Sequence, residues 1–455
     1  MTRLNKTAFI LICAIVVFTT LAYGTVHQPV LAFFYLLVVS LLLLWVADCY
    51  FNGPVRISRS LLQIPLILLG IYAVLQVIPF GVFTDAAGVT NIPRTISFDP
   101  FSTQLTALHI FALCIFFAVA LVYIESIKRL NVIVTVVTVF GFVYSFYAIL
   151  QALLSPGKIY GIYAVPNSSS FGSFVNRHDF AAIIEMTVAV PLGLIFTGAV
   201  GRDKRLLYGV AIAIMGAALL LSGSRGGLVA FVSEIMFLVI LTTQSQGVKK
   251  IWVKAGLSIL LVAASVGGAI FVGGDTSLTR FTSESPSTDF TSNRSVVWTA
   301  TVKMMTNNFP FGSGLGAYPQ ALTPYDPLSG EQRFEQAHND YLQILADAGI
   351  VGFAIGALFL FWFIREGVRN SRIQNTFLRG VAIGAFTGCF GILIHSAFDF
   401  VLHITAVSVT FLTLITMLVA SGRDNKDDTD EVVSVPGSFS RVSAVVTPIS
   451  RGARH

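Results

Sequence analysis

The sequence predicts an all-α polytopic transmembrane helix bundle of about twelve helices, with one large non-cytoplasmic loop between helices 9 and 10. Three observations predict it. The 455 residues are 55% hydrophobic and only 11% charged, and the mean hydropathy is +0.79, far above that of a soluble domain. Apolar runs long enough to cross a hydrocarbon core about 30 Å thick recur along the whole chain. Lysine and arginine concentrate in every second connection between those runs, which is how basic residues fix orientation in a bilayer.

The runs fall at about 8–26, 30–48, 61–80, 105–124, 131–154, 179–200, 206–222, 226–243, 255–273, 341–363, 378–396 and 403–420. The first follows Arg3 and Lys6 in the manner of a signal peptide, but no small-x-small site precedes the polar Tyr23–Gln28 stretch, so it reads as a retained helix. One alternating set of connections holds, among others, Arg56, Arg59, Lys128, Arg129, Arg202, Lys204, Arg205, Lys249, Lys250, Arg365, Arg369 and Arg372. The other set spans more chain yet is poorer in cations, with Arg94, Lys158, Arg177, Arg225, Arg280, Arg294, Lys303 and Arg333. The first set is therefore expected in the cytoplasm, together with both termini.

Residues 1–420 read as one transmembrane domain that includes the large loop, 274–340, and residues 421–455 as a polar, disordered cytoplasmic tail. Cys13, Cys49, Cys114 and Cys389 all sit within or at the edge of apolar runs, so none is placed to cross-link an outer loop. The net charge of +6 follows topology instead of forming a basic patch. The expected partner is the lipid bilayer, not nucleic acid. Neither a repeat of fixed period nor a matching pair of Gly/Pro-broken helices is present, which disfavours a two-halved transporter.

Ionisable residues on the cation-poor side each need a reason to be there. Arg225 stands in Ser222-Gly223-Ser224-Arg225-Gly226-Gly227, the outer turn between helices 7 and 8. It either snorkels to headgroups or binds an anion where glycines bring backbone N–H groups close. Arg294 precedes Val296–Met305, an amphipathic stretch suited to the membrane interface; its structural alternative is a salt bridge to Asp289 or Glu284. Arg177 lies where an outer loop enters the sixth helix, in Asn176-Arg177-His178-Asp179-Phe180, with an ion pair to Asp179 as its alternative. His338, in Ala337-His338-Asn339-Asp340-Tyr341, is either a hydrogen-bonded structural residue or a base. His395, Asp399 and His403 share one helical face at i, i+4 and i+8 spacing. That spacing suits a metal, or a polar cluster in which Asp399 orients a histidine. Gly312-Ser313-Gly314-Leu315-Gly316 lacks the strand and following Lys of a nucleotide loop and reads as a tight turn.

These strings resemble the O-antigen ligase and polymerase superfamily. Ala337-His338-Asn339-Asp340-Tyr341-Leu342 looks like its His-Asn-x-Tyr-Leu signature after the large loop, and Ser224-Arg225-Gly226 like its short arginine motif. Arg294 with Trp298, followed by Pro310–Gly316, resembles its arginine–tryptophan, proline and glycine sequence. Asn176–Phe180 and His395-Ser396 with Asp399-Phe400 are similar to patterns in one branch. The likeness covers about 170–405.

The resemblance implies a bacterial inner-membrane enzyme of O-antigen ligase type. It would move a glycan from undecaprenyl diphosphate to an acceptor hydroxyl at the periplasmic face, with inversion, no metal and no cofactor. The acceptor would be the lipid A core for a ligase and another lipid-linked glycan for a polymerase. Guanidinium groups bind phosphate oxygens in a fork, so Arg225, Arg294 and Arg177 suit the diphosphate. Ser224, Asn339 and Tyr341 would line the substrate site, His338 would be the base, and His395 and Asp399 would support it. The residues themselves agree on the metal: no outer segment pairs Asp or Glu at ligand spacing. Three rivals remain: a polymerase of the same superfamily, a polysaccharide-related transporter or flippase using the same arginines, and a large loop that only docks a partner.

Overall fold

The computed structural model describes residues 2–52, 55–83, 90–165, 170–243, 294–326, 334–425 and 432–435, with the single residues 254, 256 and 259. The described residues form an all-α polytopic bundle with almost no sheet. Nine of its helices are long and apolar enough to cross a membrane. In chain order these are α1 (Arg3–Leu21), α2 (Gln28–Asn52), α4 (Pro100–Tyr123), α5 (Ile127–Leu154), α6 (Arg177–Thr197), α7 (Arg205–Ser222), α8 (Arg225–Thr243), α11 (Asp340–Asn370) and α12 (Thr376–His395). Two shorter apolar helices, α3 (Gln63–Gln76) and α13 (Thr405–Ser421), complete the set. Each expected run therefore has its helix except 255–273, of which only residues 256 and 259 are described.

Polar side chains set the starts. Asp99, Ser126, Asn176, Asn339 and Asn375 each accept a backbone N–H from the first turn of the helix that follows, satisfying donors that a helix start leaves open. The ends differ from expectation where a polar residue intervenes. α3 stops at Gln76, whose backbone carbonyl accepts Ser97 N at 2.9 Å and whose buried amide donates from Nε2 to Asp347 O at 2.8 Å and accepts Leu315 N on Oε1 at 2.9 Å.

Helix α6 is the centre, packed against α5, α7, α8, α12 and α13, and its side chains are almost all buried. It crosses α12 without room for side chains: a Cβ at Gly193 would lie 2.5 Å from Gly380 O and from Gly384 N. Small residues at a helix crossing permit the close approach that supplies packing energy where lipid offers no hydrophobic drive. Around this core, α2, α3 and α5 turn large apolar residues outward, including Leu36, Leu43, Ile71, Val143 and Phe146. Surfaces of that extent suit lipid, not water.

The loop before α11 is built on two helices, α9 (Arg294–Asn307) and α10 (Tyr318–Leu322). One face of α9 packs inward, where Ala300 and Met304 join Tyr318, Leu322, Ala337 and Ala346 in one apolar cluster, while Val296 and Val302 remain exposed. Three two-stranded antiparallel ribbons complete the described structure. One pairs Val55–Ser58 with Val432–Val435, so this piece of the C-terminal tail is an ordered strand against the connection after α2.

Candidate active site

At one end of the bundle, the segments that begin α6, α8, α9 and α11 and end α12 converge on Asp399. Helix α12 stops at His395, the chain turns, and the Asp399 side chain is left 2% exposed. Its Oδ1 meets His338 Nδ1 at 3.1 Å and accepts Phe400 N at 3.0 Å. Its Oδ2 accepts Arg294 Nη2 at 3.1 Å and stands 3.8 Å from His178 Nδ1. Arg294 Nη1 also donates to Phe398 O. Burial alone would raise the carboxyl pKa, but the hydrogen bond with His338 and the charge of the Arg294 guanidinium hold it below the usual carboxylate range.

That charge fixes the histidine. An ionised carboxylate only accepts, so His338 donates from Nδ1, and the neutral ring so oriented carries its lone pair on Nε2. His338 is 36% exposed, with φ +50°. Phe400 packs edge-on to its ring, centroids 5.0 Å apart.

The Ser224-Arg225 turn joins through His178. Gly223 takes φ +70° after α7 and lets α8 start two residues later. Ser224 Oγ accepts Gly227 N at 3.1 Å and shares a 2.8 Å hydrogen bond with His178 Nδ1. Arg225 is half-buried at the start of α8, and Arg177 half-buried at the start of α6 beside His178. Beneath them His395 is fully buried, with Nδ1 3.0 Å from Glu185 Oε1. A Cβ on Gly226 would come within 2.8 Å of the His395 ring, so the motif needs glycine there.

The His-Asn-x-Tyr segment ties α11 to the end of α12. Asn339 caps α11 with Oδ1 and donates from Nδ2 to Ala397 O at 2.9 Å. The Tyr341 hydroxyl donates to Leu393 O at 2.7 Å. Asp340 accepts Leu402 N at 3.1 Å and pairs with His403 Nδ1 at 2.7 Å.

The structure brings together Arg294, His338, Asp399, His178 and Ser224, and sets Arg177 and Arg225 next to them in sequence. It corrects the shared face expected of His395, Asp399 and His403. Because the helix ends at His395, the three turn to Glu185, His338 with Arg294, and Asp340 respectively. Asp289 and Glu284, the expected partners of Arg294, lie outside the described residues; among those described, Arg294 pairs with Asp399. The Gly312–Gly316 segment, read as a tight turn, is also closely packed: a Cβ at Gly312 would lie 2.5 Å from the Asp347 carbonyl and one at Gly314 2.4 Å from Ser97 Oγ. Sequence reasoning passed over His178, although it lies inside a quoted motif. It also passed over Glu185, whose signal was a carboxylate in the middle of an apolar run. Among the described residues no group of three or more His, Cys, Asp or Glu is placed to hold a metal ion.

Fold and site together define a multi-pass helical membrane protein with a cationic, histidine-bearing site at one end of its bundle. Residues 210–357 match the O-antigen ligase family model, and the match supports an O-antigen ligase-like superfamily member. The matched stretch runs from α7 into α11 and contains Arg225, Arg294 and His338; Asp399 lies beyond it. This family points to glycosyltransferase-like ligase or polymerase activity in a multi-pass bacterial membrane protein, with lipid-linked glycan and acceptor substrates. No curated protein matches the chain.

Proposed function

We propose that the chain is an inverting glycosyltransferase of O-antigen ligase type that needs no metal. It would transfer a glycan from undecaprenyl diphosphate to an acceptor hydroxyl at the periplasmic face of the inner membrane, with both its termini in the cytoplasm. The observation that carries this reading is Asp399 bound by His338 on one oxygen and Arg294 on the other. It orients an imidazole whose free Nε2 can take a proton, as carboxylate–histidine pairs do in other enzymes.

The step balances as follows. The acceptor O–H bond breaks and its proton passes to His338 Nε2. The oxygen attacks the anomeric carbon on the face opposite the diphosphate. The bond from that carbon to the phosphate oxygen breaks, and its electron pair leaves with the diphosphate. Asp399 stabilises the imidazolium that forms. Arg225 and Arg177, with the guanidinium N–H groups of Arg294 not given to Asp399 and Phe398, offset the charge that develops on the leaving group. Ser224 holds the arginine turn through His178, and Asn339 and Tyr341 hold the edge of the site against α12. The bilayer keeps the polyprenyl chain in place while its diphosphate meets these groups.

The test is a purified assay in nanodiscs with undecaprenyl-diphosphate glycan and a hydroxyl acceptor, with and without chelator. Transfer lost in His338→Ala and Arg225→Ala but retained with chelator supports the reading; comparable rates in both variants end it. A ladder of lengthening products would make the enzyme a polymerase. Movement of glycolipid across liposomes without a new glycosidic bond would make it a flippase.

A further inference from the structure

His338 keeps a backbone conformation, φ +50°, that side-chain-bearing residues rarely adopt and that persists only where surroundings impose it. The surroundings here are specific. The peptide carbonyl before it, Ala337 O, accepts Trp298 Nε1 at 2.9 Å. The Ala337 N–H donates to Gln343 Oε1 at 2.7 Å. Gln343 is itself held, its Nε2 donating to Asp347 Oδ2 at 3.0 Å, and Gln343, Asp347 and Ala337 are all buried. On the following side, Asp340 N donates to Ser396 O at 2.9 Å. Trp298 lies one turn beyond Arg294 on α9, so the helix that brings a guanidinium to Asp399 also brings an indole to Ala337.

We propose that Trp298 and Gln343 are positioning residues that hold the two peptide groups flanking Ala337, one by its carbonyl and one by its N–H, and so aim the His338 imidazole at Asp399. The proposal rests on the reading of His338 as the base. Without the clamp, the chain relaxes toward negative φ and swings the His338 Cβ away from the carboxylate. Neither residue touches substrate in this account. Asp347 acts one bond further back, as the acceptor that orients the Gln343 amide.

The arrangement permits a swap. Gln343→Glu still accepts the Ala337 N–H, but meets the Asp347 carboxylate and stays beside it only by taking up a proton, so the swap is read at a pH high enough to ionise both. Asn at 347 restores a donor between them. In nanodiscs, with rates expressed per donor-binding equivalent, Trp298→Phe, Gln343→Leu and Gln343→Glu are expected to lower kcat about 10–100-fold, the scale of an ångström's misplacement. KM for the donor should stay within about threefold, since uniform binding is untouched. Asp347→Asn alone keeps an acceptor for Gln343 and should stay within about threefold of wild type. Combined with Asn at 347, Gln343→Glu should recover to that level.

Wild-type kcat in Gln343→Leu and Trp298→Phe, a loss confined to KM, or no recovery in the Gln343→Glu/Asp347→Asn pair overturns the clamp. A wild-type rate in His338→Ala instead overturns the base itself. The two failures are thus told apart by which variant keeps its activity.

Discussion

Two buried carboxylates within the same end of the bundle are built in opposite ways. Asp399 sits among charged and ionisable side chains, Arg294, His338 and His178, all three of which reach partly into solvent. Asp347 sits among neutral amides. Gln343 Nε2 and, at 3.4 Å, Gly316 N approach its Oδ2, while its backbone carbonyl receives Gln76 Nε2 and the N–H of Gly314. Around Asp347 the chain leaves no space: a Cβ at Gly349 would lie 2.0 Å from Pro310 O. The difference separates chemistry from scaffold. A carboxylate that orients a base needs cations and an open edge, whereas one that locks a loop needs backbone partners and closure.

The largest expected effects test the first half of that contrast. Asp399→Asn keeps the size of the side chain but lets the amide donate, so His338 can adopt the tautomer with its proton on Nε2. Transfer should fall by about 10³–10⁴-fold while donor binding persists, the scale seen when a triad carboxylate is neutralised. Initial rates with donor binding measured in parallel decide it; a loss below about tenfold means that Asp399 is scaffold too. Next in size is Arg225→Ala, expected to cost about 3–4 kcal/mol of transition-state stabilisation, as for other preorganised charge stabilisers. An effect on KM alone would assign Arg225 to ground-state binding.

Gly349→Ala tests the scaffold half. Gly349 takes φ +56° and ψ −146° inside α11, where the Pro310 carbonyl replaces the broken helix bond by accepting Ile350 N at 2.9 Å. A methyl group there meets both strain and a backbone oxygen that cannot move away, so stability should fall by about 3 kcal/mol or more. Thermal unfolding in detergent reads this directly, and the protein that remains folded should keep most of its transfer rate. An unfolding temperature equal to wild type would show that the loop and helix are less tightly joined than their spacing implies.

The sequence carried the scaffold at the level of segments. Apolar length located eleven of the twelve expected runs as helices among the described residues, because each span needs about 20 apolar residues whatever it packs against. The sequence also marked Arg225, Arg294 and His338, since cations and an imidazole stand out on a cation-poor side. Their partners were not legible. Asp399 is 61 residues from His338 and 105 from Arg294, and helical spacing suggested a shared face with His395 and His403 that the turn after His395 abolishes. Trp298 and Gln343 gave no local signal of their function, since both act on a backbone peptide 39 and 6 residues away.

The smallest effect concerns acid. Asp399 lies in the turn after α12, and its neighbours depress its carboxyl pKa. A depressed folded value contributes stability that is fully present above the unfolded value of about 3.9 and is lost as pH falls through the folded one. From pH 7 to about 5 this group should therefore leave the unfolding temperature flat. Below about pH 4 the unfolded chain takes up the proton first, and the wild type loses its advantage over Asp399→Asn. Unfolding curves of the two proteins should accordingly be farthest apart near neutrality and converge as the solution is acidified. A gap that stays constant from pH 7 to pH 3, roughly the span of carboxylate titration, would mean that the cations around Asp399 do not stabilise its charge. The asparagine would then act by shape alone.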